Sequence, residues 1–162
     1  EPAAPVEAAG FAAGRAGVGR ALCAAAGLTF EVETDLPAGL RFPAQEERLA
    51  RAVDNLLDNA VRHTPAGGTV RLTAALQDGA LVFRVRDSGP GFTPEALRKA
   101  GRLLYTGDPA RHGPHQGLGL YLAREILSKQ GGYIKVASRP GEGSTFSLYL
   151  PRAAGSKVPG RT

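Results

Sequence analysis

The chain has 162 residues, 43% of them hydrophobic, which suits a single domain that buries about 70% of its unfolded surface. One cysteine, Cys23, excludes an internal disulfide, and no stretch approaches the roughly 18 apolar residues of a membrane span, which predicts a soluble domain of a reducing compartment. The net charge is +5, but the basic residues are scattered and aromatics make up only 6%, so a polyanionic small ligand is a better partner than nucleic acid.

The opening Glu-Pro-Ala-Ala-Pro has neither Met nor a signal pattern, which predicts a piece of a longer protein with residues 1–5 as linker. From Val6 to Ala26 the composition is Ala-rich, and a helix is expected despite Gly10, Gly14, Gly17 and Gly19. Leu28, Phe30 and Val32 alternate with polar residues as a half-buried strand, turned by Pro37 and Gly39 into a short strand from Leu40 to Phe42. A helix from about Ala44 to His63 follows, ended by Thr64, Pro65, Gly67 and Gly68. Its residues Leu49, Val53, Leu56, Leu57, Ala60 and Val61 form one apolar stripe. Along another edge Asn55, Asn59, Arg62 and His63 line up at one-turn spacings. Asn competes for backbone hydrogen bonds in a helix, so two of them mid-helix suggest either a polar task or a plain solvated face.

Val70 to Leu76 and Leu81 to Arg86 alternate again, joined at Asp78-Gly79 as an antiparallel hairpin. The second strand runs into Asp87-Ser88-Gly89-Pro90-Gly91-Phe92, where the bare backbone of Gly89 and Gly91 suits close approach by a ligand plane. Asp87 could accept hydrogen bonds from an amino group on a heterocycle. Thr93 and Pro94 read as the cap and first residue of a short helix to about Arg102. From Leu103 to Gln116 no period survives, and this segment, carrying Tyr105, Arg111 and several glycines, reads as a lid. Gln116-Gly117-Leu118-Gly119-Leu120 then opens a helix with Leu118, Leu122, Ile126 and Leu127 expected inward, and glycines at a helix start form an anion site. Gly131-Gly132 stops that helix, two strands follow, Tyr133 to Ser138 and Ser144 to Leu150, and residues 151–162 read as a flexible tail. Two common nucleotide motifs, Gly-x-x-x-x-Gly-Lys-Ser/Thr and a Gly-x-Gly-x-x-Gly between strand and helix, are absent.

The order of these pieces, Asn-x-x-x-Asn on a helix, Asp-x-Gly-x-Gly, a lid, Gly-Leu-Gly-Leu and a final Gly-x-Gly-x-x-Phe, resembles the ATP-binding catalytic domain of bacterial sensor histidine kinases, in the GHKL superfamily. The resemblance covers about residues 6–150 and implies a two-layer α/β sandwich of the Bergerat type. Its mixed sheet of about five strands would pack on three helices, with ATP held between helices and lid. It implies that Asn59 is the Mg2+ ligand with Asn55 beside it, that Arg62 touches phosphate, and that His63 packs near adenine. Asp87 would accept the adenine amino group against Gly89 and Gly91, with Gln116, Gly117, Leu118 and Gly119 as the phosphate turn. Tyr105 and Arg111 match the aromatic before the lid and a lid arginine, and Gly141, Gly143 and Thr145 match a last box near the adenine end.

This chain departs from the family at Gly101, Leu103 and Thr106, where a Phe and two basic residues are usual, and at His115, where a glycine is usual. None of His63, His112 and His115 is followed by an acidic residue, as the family's phosphoacceptor is. The implied function is to bind Mg-ATP and transfer its γ-phosphoryl group to a His on a separate helical dimerisation domain of a cytoplasmic, homodimeric, two-component kinase that signals to a response regulator. The alternatives are a degenerate binding module or a GHKL ATPase or serine kinase. The latter would need Glu where Asn55 stands, and Asp54 and Asp58 point about 100° or more away.

Overall fold

The computed structural model describes residues 2–107, 118–153, 156 and 158. Its elements in chain order are β1 (Ala4–Glu7), α1 (Ala8–Ala26), β2 (Thr29–Asp35), β3 (Arg41–Ala44), α2 (Glu46–His63), β4 (Thr69–Gln77), β5 (Ala80–Asp87), α3 (Pro94–Thr106), α4 (Leu118–Lys129), β6 (Tyr133–Ser138) and β7 (Ser144–Pro151). Five strands form one mixed sheet in the order β2-β4-β5-β7-β6, with β2 and β4 parallel and the other neighbours antiparallel. Helices α1, α2 and α4 pack on one face of it, and α3 lies along the edge strand β6. This is the expected two-layer sandwich.

The inward side chains follow from strand alternation. Val70 and Leu72 of β4, Leu81, Phe83 and Val85 of β5, and Phe146, Leu148 and Leu150 of β7 are all buried on the helix side. Against them α2 presents Leu49, Ala52, Val53, Leu56, Leu57 and Ala60, close to the predicted stripe, while Val61 stays half-buried at its margin. The β4–β5 hairpin turns at Asp78 and Gly79, both at positive φ (52° and 80°), as a two-residue turn between right-twisted strands requires. Thr93 caps α3 by accepting the Ala96 N–H at 3.1 Å, with Pro94 beginning the helix.

Four expectations need correction. Ala4 and Pro5 belong to β1, which pairs antiparallel with β3, so the first strand begins inside the expected linker and the first helix begins at Ala8 instead of Val6. Helix α3 continues to Thr106, burying Leu103 and Leu104, so those residues are not part of the irregular segment. In α4 Leu127 is buried and Ile126 packs half-buried against the core, as expected, but Leu120 and Ala123 are buried with them, whereas Leu122 is 38% exposed. At the other end, β7 includes Pro151, and Val158 is buried against Ala80 and Val82 on the outer face of the sheet, beside the stacked rings of Tyr133 and Tyr149. That contact is why Ala80 and Val82, at outward positions of β5, are buried. No helix among the described residues is long and apolar enough to cross a membrane.

Candidate functional site

The polar edge of α2 meets two other elements at one end of the sheet. Asn55 donates its Nδ2–H to the Gly119 carbonyl at 3.4 Å, which ties the edge to the first turn of α4. A side chain at Gly119 would lie 3.9 Å from Asn55 Cβ, an ordinary contact, so the two helices approach closely there. One turn along, Asn59 is 5% exposed, an unusual depth for a carboxamide, and its backbone carbonyl lies 2.8 Å from His63 Nδ1. The His63 ring packs edge-on to Phe92, which in turn packs on Phe146 of the core.

Asp87 ends β5 directly opposite Ser144 and is 3% exposed. Its Oδ1 accepts the Gly89 N–H at 2.9 Å. Burial pushes the carboxyl up from its ordinary range, partly opposed by the N–H of Gly89, the His63 imidazole and the backbone N–H of Ser144. A carboxylate buried with one edge held by backbone donors is fixed in orientation, and its acceptor capacity suits a donor on a planar ligand.

The glycines of the Asp87 loop have a structural reason that the sequence reading did not supply. A Cβ at Gly89 would lie 2.4 Å from the His63 carbonyl oxygen, and one at Gly91, where φ is +74°, would lie 2.0 Å from the Arg139 carbonyl oxygen. The space is already filled by backbone, which locks the loop to the end of α2 and to the β6–β7 turn. Ser138 strengthens the second joint: its hydroxyl accepts the Phe92 N–H and donates to the Gly143 carbonyl, both at 2.8 Å, and lies 3.0 Å from the Ser144 hydroxyl.

The structure therefore brings together Asn55, Asn59, His63, Asp87, Gly89, Gly91 and Gly119. Arg62, also on the edge, is exposed and pairs with Asp58 at 3.2 Å. Two expected residues stand elsewhere. Tyr105 points from α3 to β6, where its hydroxyl accepts the Val136 N–H at 3.1 Å and its ring lies over Gly101, away from the Asn and Asp side chains. Thr145 pairs with Arg86 and Ala137 on the outer face of the sheet, because only alternate residues of β7 share the inward face of Asp87 and Phe146. Ser144 occupies the inward position instead. The inward run Phe146, Leu148, Leu150 was the signal that could have assigned it. Arg111, Gln116 and Gly117 lie outside the described residues, as does the side chain of Leu118.

Among the described residues no group of three or more His, Cys, Asp or Glu side chains could hold a metal ion. The donor available is the amide oxygen of Asn59, a hard oxygen of the kind Mg2+ accepts as one protein ligand beside phosphates and water.

An open mixed sheet under three helices, with an Asn-bearing helix and a buried terminal Asp at one end, defines a class of open two-layer α/β sandwich. The sequence model described as "Histidine kinase-, DNA gyrase B-, and HSP90-like ATPase" matches residues 44–154, and the chain belongs to that family. Among its relatives, the sensor-like histidine kinase SenX3 of Mycobacterium tuberculosis is 34% identical over 136 residues, covering 83% of this chain and 33% of SenX3. The histidine protein kinase DivJ of Caulobacter vibrioides is 39% identical over 116 residues, 71% of this chain and 19% of DivJ. The chain thus spans a third or less of these relatives' length. Among solved structures, full-length ShkA in complex with AMPPNP superimposes with a TM-score of 0.76 at 29% identity, over 92% of this chain and 31% of that one. The catalytic domain of histidine kinase ThkA has the same fold, with a TM-score of 0.79 at 23% identity over 94% of this chain and 97% of that one.

Proposed function

We propose that this chain is the ATP-binding catalytic domain of a two-component sensor histidine kinase. It would hold Mg-ATP for transfer of the γ-phosphoryl group to a His on a separate helical dimerisation domain. The observation that carries this reading is the convergence of Asp87, buried and oriented, with Asn55 and Asn59 and the α4 start at one end of the sheet. Asp87 receives the adenine amino group, with Gly89 and Gly91 shaping the loop around it. The imidazole of His63 lies beside that pocket and favours the charged carboxylate. Asn59 would hold Mg2+, which would supply neutralisation of phosphate charge, with Asn55 and Arg62 alongside. Gln116, Gly117, Leu118 and Gly119 would cradle phosphates at the N-terminus of α4, with Arg111 nearby.

Hydrolysis of ATP by this chain is the weaker reading, because it needs a general base beside the Mg2+ ligand. The position one turn before Asn59 is Asn55, Asp54 is engaged by Arg15, and Asp58 by Arg62. Phosphoryl transfer is mostly positioning and charge neutralisation, so a chain built this way binds ATP and waits for a nucleophile. The same reading places the domain in the cytoplasm, in a homodimer that passes its phosphoryl group to a response regulator.

Incubating the chain with γ-labelled ATP, Mg2+ and a His-bearing helical domain from SenX3 or DivJ tests the proposal. The expected product is acid-labile, base-stable label on that domain, and none when its His is replaced. A wild-type chain that binds nucleotide but transfers nothing to either domain would favour the degenerate binding module.

A further inference from the structure

Asp54 immediately precedes the first Asn of the site, yet it points to α1, where its carboxylate is in ion-pair contact with Arg15. The two side chains are only 31% and 19% exposed, and Arg15 also lies 5.7 Å from the ring centroid of Phe11. Within this contact Arg15 Nε and Asp54 Oδ1 are buried and have no hydrogen-bond partner among the described residues. An ion pair desolvated this far and incompletely satisfied contributes little net stability, which leaves specification of geometry as its use.

Geometry is what α1 otherwise supplies poorly. Apart from Phe11, its buried face consists of Ala8, Ala12, Ala16, Gly19 and Cys23. Small side chains make shallow ridges, and shallow ridges set the rotation of a neighbouring helix only weakly. A side-chain shell about 5–6 Å from the helix axis converts a rotation of about 20° into a shift of about 2 Å. Displacements of that size at a reacting or metal-binding group lower function by orders of magnitude.

We propose that Arg15 and Asp54 are a positioning pair that, from the α1 side, completes the rotational setting of α2 that its buried stripe begins on the sheet, so that Asn55 and Asn59 face the site. Its functional consequence rests on the Mg-ATP reading above; its structural content does not.

Three chains decide it: wild type, the Arg15→Leu/Asp54→Leu double variant, and the swapped Arg15→Asp/Asp54→Arg variant. Removing both charges avoids leaving one buried and unpaired, so the double variant is expected to fold. In nucleotide-free protein its Asn55 and Asn59 side-chain amide NMR resonances are expected to move, and to return in the swapped variant. In titrations with a non-hydrolysable ATP analogue, the gain in affinity on adding Mg2+ is expected to fall on the order of tenfold in the double variant. Affinity without Mg2+ should fall less than that gain, since Asp87 stands on β5 and not on the turned helix, although Arg62 and His63 share the edge. Arg15→Lys, which keeps charge but loses the planar fork, is a second probe should the double variant not fold, and is expected to move the same resonances. Wild-type resonances and a wild-type Mg2+ gain in the double variant, or in Arg15→Lys where that stands in for it, would overturn the proposal. So would a folded swapped variant that restores neither. Absence of any Mg2+ gain in wild type would instead overturn the Mg-ATP reading, and the resonances would still decide the pair.

Discussion

Asp87 is the residue on which binding and stability pull in opposite directions. Burial raises its carboxyl above the ordinary value of 3.8, so the fold favours the protonated form. Its contribution to stability is therefore full below 3.8 and is lost as pH rises through the raised value. Nucleotide affinity, which uses the carboxylate as acceptor, should fall on acidification over that same interval and begin to fall above 3.8. Analogue affinity against pH for wild type, and thermal midpoint against pH for wild type and Asp87→Asn, check this: wild type should lose affinity and gain stability over one interval of acidification, and the stability gain should be absent from the variant. Gly89 makes a simpler case. Its absent side chain is excluded by the His63 carbonyl, so Gly89→Ala forces backbone apart at a well-packed joint and should cost about 1–3 kcal/mol in chemical denaturation. An unchanged denaturation midpoint would contradict the packing account. The two glycines were legible in the sequence as positions of close approach, but which backbone approaches them was not, since His63 and Arg139 are distant in sequence. Thr145 shows a different failure: matching the last box by motif favoured Thr, whereas strand alternation turns it outward and Ser144 inward.

Among the elements, α3 departs most from the sequence reading, and the departure bears on the segment that follows it. Ala100, Leu103 and Leu104 are spaced as one helical face and are all buried, so the helical period was present. Reading Leu103 to Gln116 as one aperiodic segment detached Leu103 and Leu104 from that face. Leu103→Ala should therefore cost about 2–5 kcal/mol in equilibrium unfolding, as a core truncation does, whereas a loop position would show almost none. In α4 the alternatives were closer: the expected Leu118, Leu122, Ile126 and Leu127 and the stripe Leu120, Ala123 and Leu127 overlap at Leu127, so periodicity alone could not choose. Packing against α2 and the sheet selects the second. The hairpin, by contrast, was legible to the residue, because Asp78-Gly79 meets the backbone requirement of a tight turn by itself.

Across the whole molecule, the order of strands and helices followed from local alternation and turn chemistry, and the sandwich followed from the family resemblance. The non-local pairings did not. The β1–β3 ribbon joins four-residue segments far apart in sequence, and the seat of Val158 on the outer sheet face depends on Tyr133 and Tyr149 stacking beside it. Neither leaves a periodic trace in so short a stretch. The site is likewise an assembly of the ends of α2, β5 and α4, each weak alone, and the function proposed for it is to hold Mg-ATP at this end of the sheet. Calorimetric titration of the chain with a non-hydrolysable ATP analogue, with and without Mg2+, tests that function most directly alongside Asp87→Asn and Asn59→Ala. Wild type is expected to bind, Asp87→Asn to lose binding, and Asn59→Ala to lose chiefly the Mg2+-dependent part. No binding by wild type at any accessible concentration, or binding by Asp87→Asn equal to wild type, would contradict the proposed function.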